Sequence, residues 1–391
     1  MTARVDTNLY PELRRFGASD ISACFNCGLC TATCPLSVNG ASFPRQISRY
    51  AQLGQREKLL ASPELWSCYG CSECTEKCPT QADPASFMAA ARRYAVASYD
   101  RTHLAYLLAT SGLFTAFFVT ALVAVLAGFM YYVHGPADGS RLVLFEFVPE
   151  DTIHWMGIAV MAVMGVAALI GIVEMVRRVL RGPAALTSKA AARKAVPAAW
   201  DTIAVESLGQ KRFREDCADA ADPVYATEAD DPDARRPLYL RRWFLHFATM
   251  WGFLGLLGAT ILDYGLAFFN IVPTGTAQPI YYPVRLLGTL AGAALIYGTT
   301  ILMYRRFRKS DRASQNSTVS DWTFLSMLWL AGATGFTLEL ALYLPQAPSW
   351  GYGVFLLHVS VAMALVLLVP FGKFAHVLYR PVALFAIRLR G

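Results

Sequence analysis

Eight cysteines fall into two copies of one spacing, CFNCGLCTATCP from Cys24 and CYGCSECTEKCP from Cys68. Each copy reads C-x2-C-x2-C-x3-C-P, which puts three thiolates on one tight turn and sends the fourth elsewhere. This spacing points to [4Fe–4S] chemistry: a cubane needs four sulfur ligands, and in two-cluster arrangements the fourth cysteine of each run serves the other cluster. The expected ligand sets are Cys24, Cys27, Cys30 and Cys78 for one cluster, and Cys68, Cys71, Cys74 and Cys34 for the second. Pro35 and Pro79 close the runs, where a fixed φ and a missing N–H turn the chain away. A disulfide framework fits poorly, because the first 21 residues show no apolar core of a signal sequence and such thiols belong to a reducing compartment. Zinc favours two separated C-x2-C pairs. Cys217 stands alone in a polar stretch and reads as an incidental thiol.

The remainder of the chain is apolar. Of 391 residues, 55% are hydrophobic and 16% charged, and the mean hydropathy is +0.37. Soluble chains carry about a quarter charged residues, so a membrane protein is expected. The net charge of +7 does not indicate nucleic acid, because the excess Arg and Lys flank apolar segments as topology signals do. Six segments approach the roughly 20 helical residues needed to cross a bilayer: 104–133, 153–173, 243–262, 286–304, 322–344 and 352–373, the last expected to continue as helix to Tyr379. Arg177, Arg178 and Arg181 follow the second segment, and Arg235, Arg236, Arg241 and Arg242 precede the third. Arg305, Arg306, Arg308 and Lys309 follow the fourth, and Lys373, Arg380, Arg388 and Arg390 close the chain. The other loops (134–152, 263–285 and 345–351) carry only Arg141 and Arg285. Positive-inside asymmetry then places both termini and the cysteine runs in the cytoplasm, in a multi-pass inner-membrane protein.

Between the cysteine runs, Ile47, Tyr50, Ala51 and Leu53 recur at roughly helical spacing, with Gly54 as a stop. PASFMAAARRYAVASYD reads as a second helix. This insert resembles the α-helical ferredoxin domain of the C subunit of heterodisulfide reductases, through Pro44-Arg45-Gln46-Ile47 and through Trp66 just before the second run. The expected fold is all-α: a ferredoxin-like domain with two [4Fe–4S] clusters (1–100), two transmembrane helices (101–180), a cytoplasmic loop (181–240) and a four-helix haem b and quinone domain (241–391). Within the loop, EDCADAADPVYATEADDPDARR reads as a disordered connector, or as a docking strap for a soluble partner.

Six histidines can be sorted by depth. His358 and His376 are five helical turns apart on one expected helix, so both would face one way, about 27 Å from each other along the axis. Intramembrane ionisable groups are functional by default, and two imidazoles at opposite depths suit axial ligation of two stacked b-type haems. The alternative is hydrogen bonding to neighbouring helices. Matching depths pair His246 with His376 for an inner haem and His154 with His358 for an outer one. His103 and His134 stand at the ends of the first segment, with His134 in reserve as an outer ligand.

The last four segments also resemble the membrane haem b subunit shared by the E subunit of heterodisulfide reductase and the gamma subunit of respiratory nitrate reductase. That family carries two haem-ligating histidines about five turns apart on its last helix, and two more about ten residues apart on an earlier one. Here His246 has Leu256 at the second position, so the resemblance leaves one or two haems open, with two expected. Together the two halves resemble the membrane-embedded C subunit of the quinone-interacting membrane-bound oxidoreductases (Qmo). The resemblance implies electron exchange between the menaquinone pool and cytoplasmic sulfur metabolism at adenylylsulfate reductase, through soluble flavin and iron–sulfur subunits docked on the N-terminal domain. Quinone chemistry moves protons, and Glu339 and Asp263 are the expected carboxylates, Glu339 reading equally as a membrane-edge residue snorkelling to water. Glu174 with Arg177 and Arg178 reads as a helix-end ion pair. Competing readings are the membrane arm of a heterodisulfide reductase-like complex and a non-enzymatic iron–sulfur anchor or redox sensor. A catalytic disulfide reductase would need a further cysteine-rich domain.

Overall fold

The computed structural model describes residues 5–37, 42–137, 140, 142–180, 189–216, 236–269, 271, 279–310, 314–344 and 350–390. Among these residues all regular secondary structure is helical, with no strand. Cys217 and nearly all of the acidic stretch after it lie outside the described residues.

The N-terminal unit is built from short helices. They are α1 (Leu9–Arg15), α2 (Leu29–Ala32), α3 (Arg45–Gln52), α4 (Arg56–Leu60), α5 (Glu73–Glu76) and the longer α6 (Pro84–Tyr99). Helix α3 matches the expected insert helix: Ile47 and Ala51 are buried, and Gly54 ends it at φ +64°, where a Cβ would lie 2.5 Å from the Asp6 carbonyl oxygen. Helix α6 starts at Pro84 behind Asp83, whose carboxylate accepts from the Ser86 N–H at 3.2 Å, a side-chain N-cap.

The apolar part contains α7 (Leu104–Thr110), α8 (Gly112–Tyr132), a one-turn α9 (Leu144–Phe147) and α10 (Glu150–Leu180). After α11 (Lys189–Trp200) and α12 (Lys211–Asp216) come α13 (Arg242–Phe268), α14 (Pro283–Arg308), α15 (Val319–Tyr343), α16 (Gly351–Leu367) and α17 (His376–Arg390). Five of these, α8, α10, α13, α14 and α15, are long and apolar enough to cross a membrane, and α16 is a shorter apolar helix. Helices α13 and α14 pack closely because Gly252 presents no side chain. A Cβ there would meet the Leu295 nitrogen at 2.6 Å and the Ala291 oxygen at 2.7 Å, the close backbone approach that small residues permit between membrane helices.

Three expectations are corrected. The first apolar segment is not one helix: Ser111 is extended (φ −124°, ψ 106°) and its hydroxyl caps α8 by accepting from the Phe114 N–H, so Thr110-Ser111-Gly112 stops one helix and starts another. The last segment does not run on as helix to Tyr379. Helix α16 ends at Leu367, turns occupy 368–372, a 3-10 turn spans Lys373–Ala375, and α17 begins at His376. Pro370, which lacks an N–H and disfavours helical Val369 before it, and Gly372 account for the break. The stretch 181–240 is not all loop: 189–216 is helical, with a π-helical segment, Asp201–Leu208, in its middle.

The N-terminal unit shares one core with the membrane-type helices. Leu9, Leu59, Trp66, Phe87 and Tyr94 belong to the same buried cluster as Met175 and Val179 of α10 and Tyr379 and Ala383 of α17. Trp66 packs on Tyr379 (centroids 5.2 Å), and Tyr379 enters through Gly171, where a Cβ would collide with its hydroxyl. Charged contacts add to this seat: Arg178 reaches Glu57 at 3.3 Å and Arg242 donates to the Gly70 carbonyl at 2.7 Å. Glu174 pairs with Arg178 at 2.9 Å, the helix-end ion pair expected.

Candidate functional site

The two cysteine runs fold as near-copies. In each run the residue before the second cysteine and the one after it have positive φ: Asn26 (61°) and Gly28 (90°) in the first, Gly70 (70°) and Ser72 (75°) in the second. Two left-handed residues around one cysteine curl the backbone, and the one-turn helices α2 and α5 follow directly. Glycine enters this region freely, and Asn tolerates it.

The result is two recesses, each walled by four thiols. One is lined by Cys24, Cys27, Cys30 and Cys78, the other by Cys34, Cys68, Cys71 and Cys74. These are the two expected sets, with the fourth cysteine crossing over in each. Among the described residues no three ligand-type side chains are close enough to share a single metal ion. Four thiols spaced around a hollow suit a multi-iron cube better than one zinc ion. Burial, with neighbouring thiols adding, pushes Cys34 up to about 12 and Cys71 up to about 11, and raises Cys74 further. At neutral pH these thiols are protonated, so loading a cluster must release protons.

The second recess connects to a pair of histidines. Tyr69, next to Cys68, stacks on Phe213 (centroids 5.6 Å, interplanar angle 7°). Phe213 meets His246 edge-on at 5.6 Å, and His246 faces His376 with centroids 6.3 Å apart. Arg380 lies over Tyr69 at 4.4 Å. The bridging Phe213 comes from α12, in the stretch expected to be loop.

Both imidazoles spend Nδ1 on an acceptor. His376 Nδ1 lies 2.7 Å from the Lys373 carbonyl, which can only accept, so the proton is on Nδ1. His246 Nδ1 lies 3.1 Å from Gln210 Oε1, and the Gln210 amide is oriented by donating to Met250 Sδ at 3.3 Å. Each ring thus keeps Nε2 as a free lone pair, the arrangement of ligating histidines. Two imidazoles on opposite sides of one metal ion, each bonded at about 2 Å, place their centroids about 6 Å apart. The pair fits axial ligation of one haem iron. Gln210 is a site residue that sequence reasoning missed. It is buried and held at φ +49° beyond the π-helical segment.

The other expected site residues are not gathered with these. His358, on α16, has Nδ1 3.0 Å from Thr334 Oγ1. That hydroxyl donates to the Leu330 carbonyl at 2.6 Å, so it accepts from His358 and again leaves Nε2 free. His154 stands edge-on to Tyr264 (4.6 Å), with Nε2 3.7 Å from Glu150. Among the described residues His154 and His358 make no ring contact with each other. His134 packs on Phe147 (4.8 Å) and is exposed, as is His103. Glu339 accepts from Thr289 at 2.9 Å, and Asp263 lies near the far end of α13, away from His246.

Residues 20–82 match the family described as the 4Fe-4S dicluster domain, and residues 269–350 match the nitrate reductase gamma subunit family. The second match covers α14 and α15 and contains Glu339 but none of His154, His246, His358 and His376. Citrate utilization protein B of Escherichia coli is 32% identical over 154 residues, 39% of this chain and 38% of that protein. The C subunit of the H(2):CoB-CoM heterodisulfide,ferredoxin reductase of Methanothermobacter thermautotrophicus is 32% identical over 62 residues, 16% of this chain and 34% of that relative. Its Methanothermobacter marburgensis counterpart gives the same figures. The alignments thus span well under half the length of these curated relatives. No solved structure matches the chain. These likenesses and the helix lengths describe an iron–sulfur dicluster-type unit followed by helices long and apolar enough to cross a membrane.

Proposed function

We propose that this chain passes electrons between a membrane quinone, menaquinone by the Qmo resemblance, and cytoplasmic flavin and iron–sulfur partners of sulfur metabolism. The observation that carries this reading is the continuous contact from the second four-thiol recess through Tyr69 and Phe213 to the His246/His376 pair. Cys24, Cys27, Cys30 and Cys78 would hold one [4Fe–4S] cluster, and Cys34, Cys68, Cys71 and Cys74 the other. His246 and His376 would hold an inner haem b through Nε2. His358 would hold an outer haem, with His154 as its second ligand. When bound, these groups supply one-electron transfer. The protein's own part is to bury the thiols, fix both imidazole tautomers through Gln210 and the Lys373 carbonyl, and keep the carriers at short spacing.

Orientation follows from charge. The N-terminal unit sits at the end of the bundle where Arg178, Arg242, Arg306 and Lys373 gather, and positive-inside asymmetry assigns that end to the cytoplasm. The likeness to a heterodisulfide reductase C subunit supports a soluble redox partner on the first recess, where Cys27 is exposed and Phe25 is 65% exposed.

The test is reduction of haem in the purified holoprotein by a menaquinol analogue, followed optically. Reduction is expected, and no reduction at any haem would sink the quinone reading in favour of an anchor or sensor. His246→Ala should remove one low-spin haem signal and His358→Ala a second. If His358→Ala leaves all haem absorption intact, the outer site is wrong.

A further inference from the structure

Irregular backbone is tolerated at membrane depth only where it is buried in protein or lines a cavity. Two apolar segments of this chain are interrupted, at Ser111 between α7 and α8 and at 368–375 between α16 and α17. Both interruptions line the same recess. Leu108 and Thr115 flank the first break, and Gly372, Lys373 and Phe374 come from the second. The opposite wall is the first turns of α15, through Thr323 and Phe324. The recess therefore lies at the basic end of the bundle, at the edge of the membrane-type helices.

Its chemistry is lopsided. Most of the wall is apolar, while the hydroxyls of Ser320 and Thr323 and the Lys373 ammonium are its polar groups. The hydroxyls make no hydrogen bond among the described residues. Thr115 is spent internally, donating to the Leu108 and Ser111 carbonyls at 2.9 Å each and so bridging the first break. Lys373 is held by Asp321, which also completes the Thr318 capping box of α15 and lies 4.0 Å from Arg306.

The recess adjoins the histidine pair directly. The Phe374 ring packs between Phe253 (5.0 Å) and Phe324 (5.1 Å). The carbonyl of Lys373 accepts the Nδ1 proton of His376, so one residue lines the recess with its side chain and orients an imidazole with its backbone. An apolar hollow with hydroxyl and ammonium donors at one side suits a flat ring bearing two carbonyl oxygens and an apolar tail.

We propose that this recess binds the head group of the quinone, with Lys373 and Thr323 donating to its oxygens. The proposal rests on the quinone reading above and locates it at the inner end of the bundle, not at Glu339, which lies twelve residues, about 18 Å, further along α15 than the last recess residue Met327.

The test is equilibrium binding of a heptyl-hydroxyquinoline N-oxide to the detergent-purified holoprotein, read by quenching of its fluorescence. Lys373→Gln removes one charge-assisted hydrogen bond and should weaken binding about tenfold or more. Thr323→Val should weaken it several-fold, and Leu365→Trp, which fills the recess, should abolish it. The dithionite-reduced haem spectrum of each variant is recorded alongside, so that a loss of haem is told apart from a loss of probe binding. Unchanged affinity in both Lys373→Gln and Thr323→Val would overturn the site, whether or not Leu365→Trp folds. Loss of binding in Glu339→Gln with Lys373→Gln unaffected would move the site to the other end and leave the quinone reading standing. Loss of copurifying phospholipid in Leu365→Trp with unaltered probe affinity would make the recess an acyl-chain groove and overturn the proposal. No binding to the wild type, together with no haem reduction by quinol, would defeat the quinone reading itself.

Discussion

Gln210 shows how much of the site rests on one amide. Its oxygen is the acceptor for His246 Nδ1, and its nitrogen is fixed by Met250, so the amide sets which imidazole nitrogen faces His376. Outer-shell partners of this kind are worth about 10–100-fold in metal affinity. Gln210→Leu is expected to lower haem occupancy by about tenfold at limiting haem, and Gln210→Glu to make the ligand more basic and lower the midpoint potential of the inner haem. Haem titration and potentiometry check both, and wild-type values in the two variants would remove Gln210 from the site. At this scale the sequence was informative where spacing alone decides. The crossed partition of the eight cysteines follows from the C-x2-C-x2-C-x3-C-P runs, because each run's geometry expels its fourth thiol. The match of His246 with His376 was legible from depth. Gln210 carried no such signal, since an amide in a polar stretch looks like solvent-facing surface until tertiary packing buries it.

Among the elements, α13 and α14 depend on glycine for their separation. A Cβ at Gly252 would press on backbone atoms of Leu295 and Ala291, which cannot rotate away as a side chain can. At Gly258 the nearest atom would be 4.0 Å off, at the tip of Leu287. Gly252→Ala is therefore expected to destabilise the bundle by about 1–3 kcal/mol, and Gly258→Ala to be close to neutral. Thermal melting in detergent, read by loss of haem absorption, separates the two, and equal melting points would refute close packing as the role of Gly252. The elements also show where periodicity misleads. Hydropathy located the long helices α10, α13, α14 and α15 but ran over the stop at Ser111, because Leu104–Thr110 and Gly112–Tyr132 are both apolar. The five-turn spacing of His358 and His376 presumed one helix, yet Pro370 and Gly372 between them already carried the break. Residues 189–216 looked like loop because their apolar positions form no membrane-length run: Phe213 packs on Tyr69 and His246, while Val196, Trp200 and Ile203 are exposed.

The whole molecule is a single packed object more than a soluble domain on a tether. Arg388 of α17 reaches both Thr202 and Glu206, Asn316 in the turn before α15 donates to Asp83 and Ser86 of the N-terminal unit, and Trp66 is clasped between Tyr99 and Tyr379. Such a seat fixes the second recess over the histidine pair, which short-range electron transfer requires, and it ties topology to function. If the basic end faces the cytoplasm, the N-terminal unit, the 189–216 segment and the C-terminal helix all lie there, and the stretches of chain joining α8 to α10 and α13 to α14 lie outside. In right-side-out vesicles, single cysteines introduced at Tyr132 and Tyr281, both exposed, should react with a membrane-impermeant maleimide. One introduced at Val196, 79% exposed, should react only after lysis. The measurement needs a cluster-loaded background with Cys217 replaced by serine, since the eight recess thiols if unloaded, and Cys217 in any case, would contribute their own labelling. Reaction at Val196 before lysis would invert the orientation and carry the partner-docking face to the wrong side of the membrane. The contacts within the chain would survive that result, because they do not depend on which compartment the basic end meets.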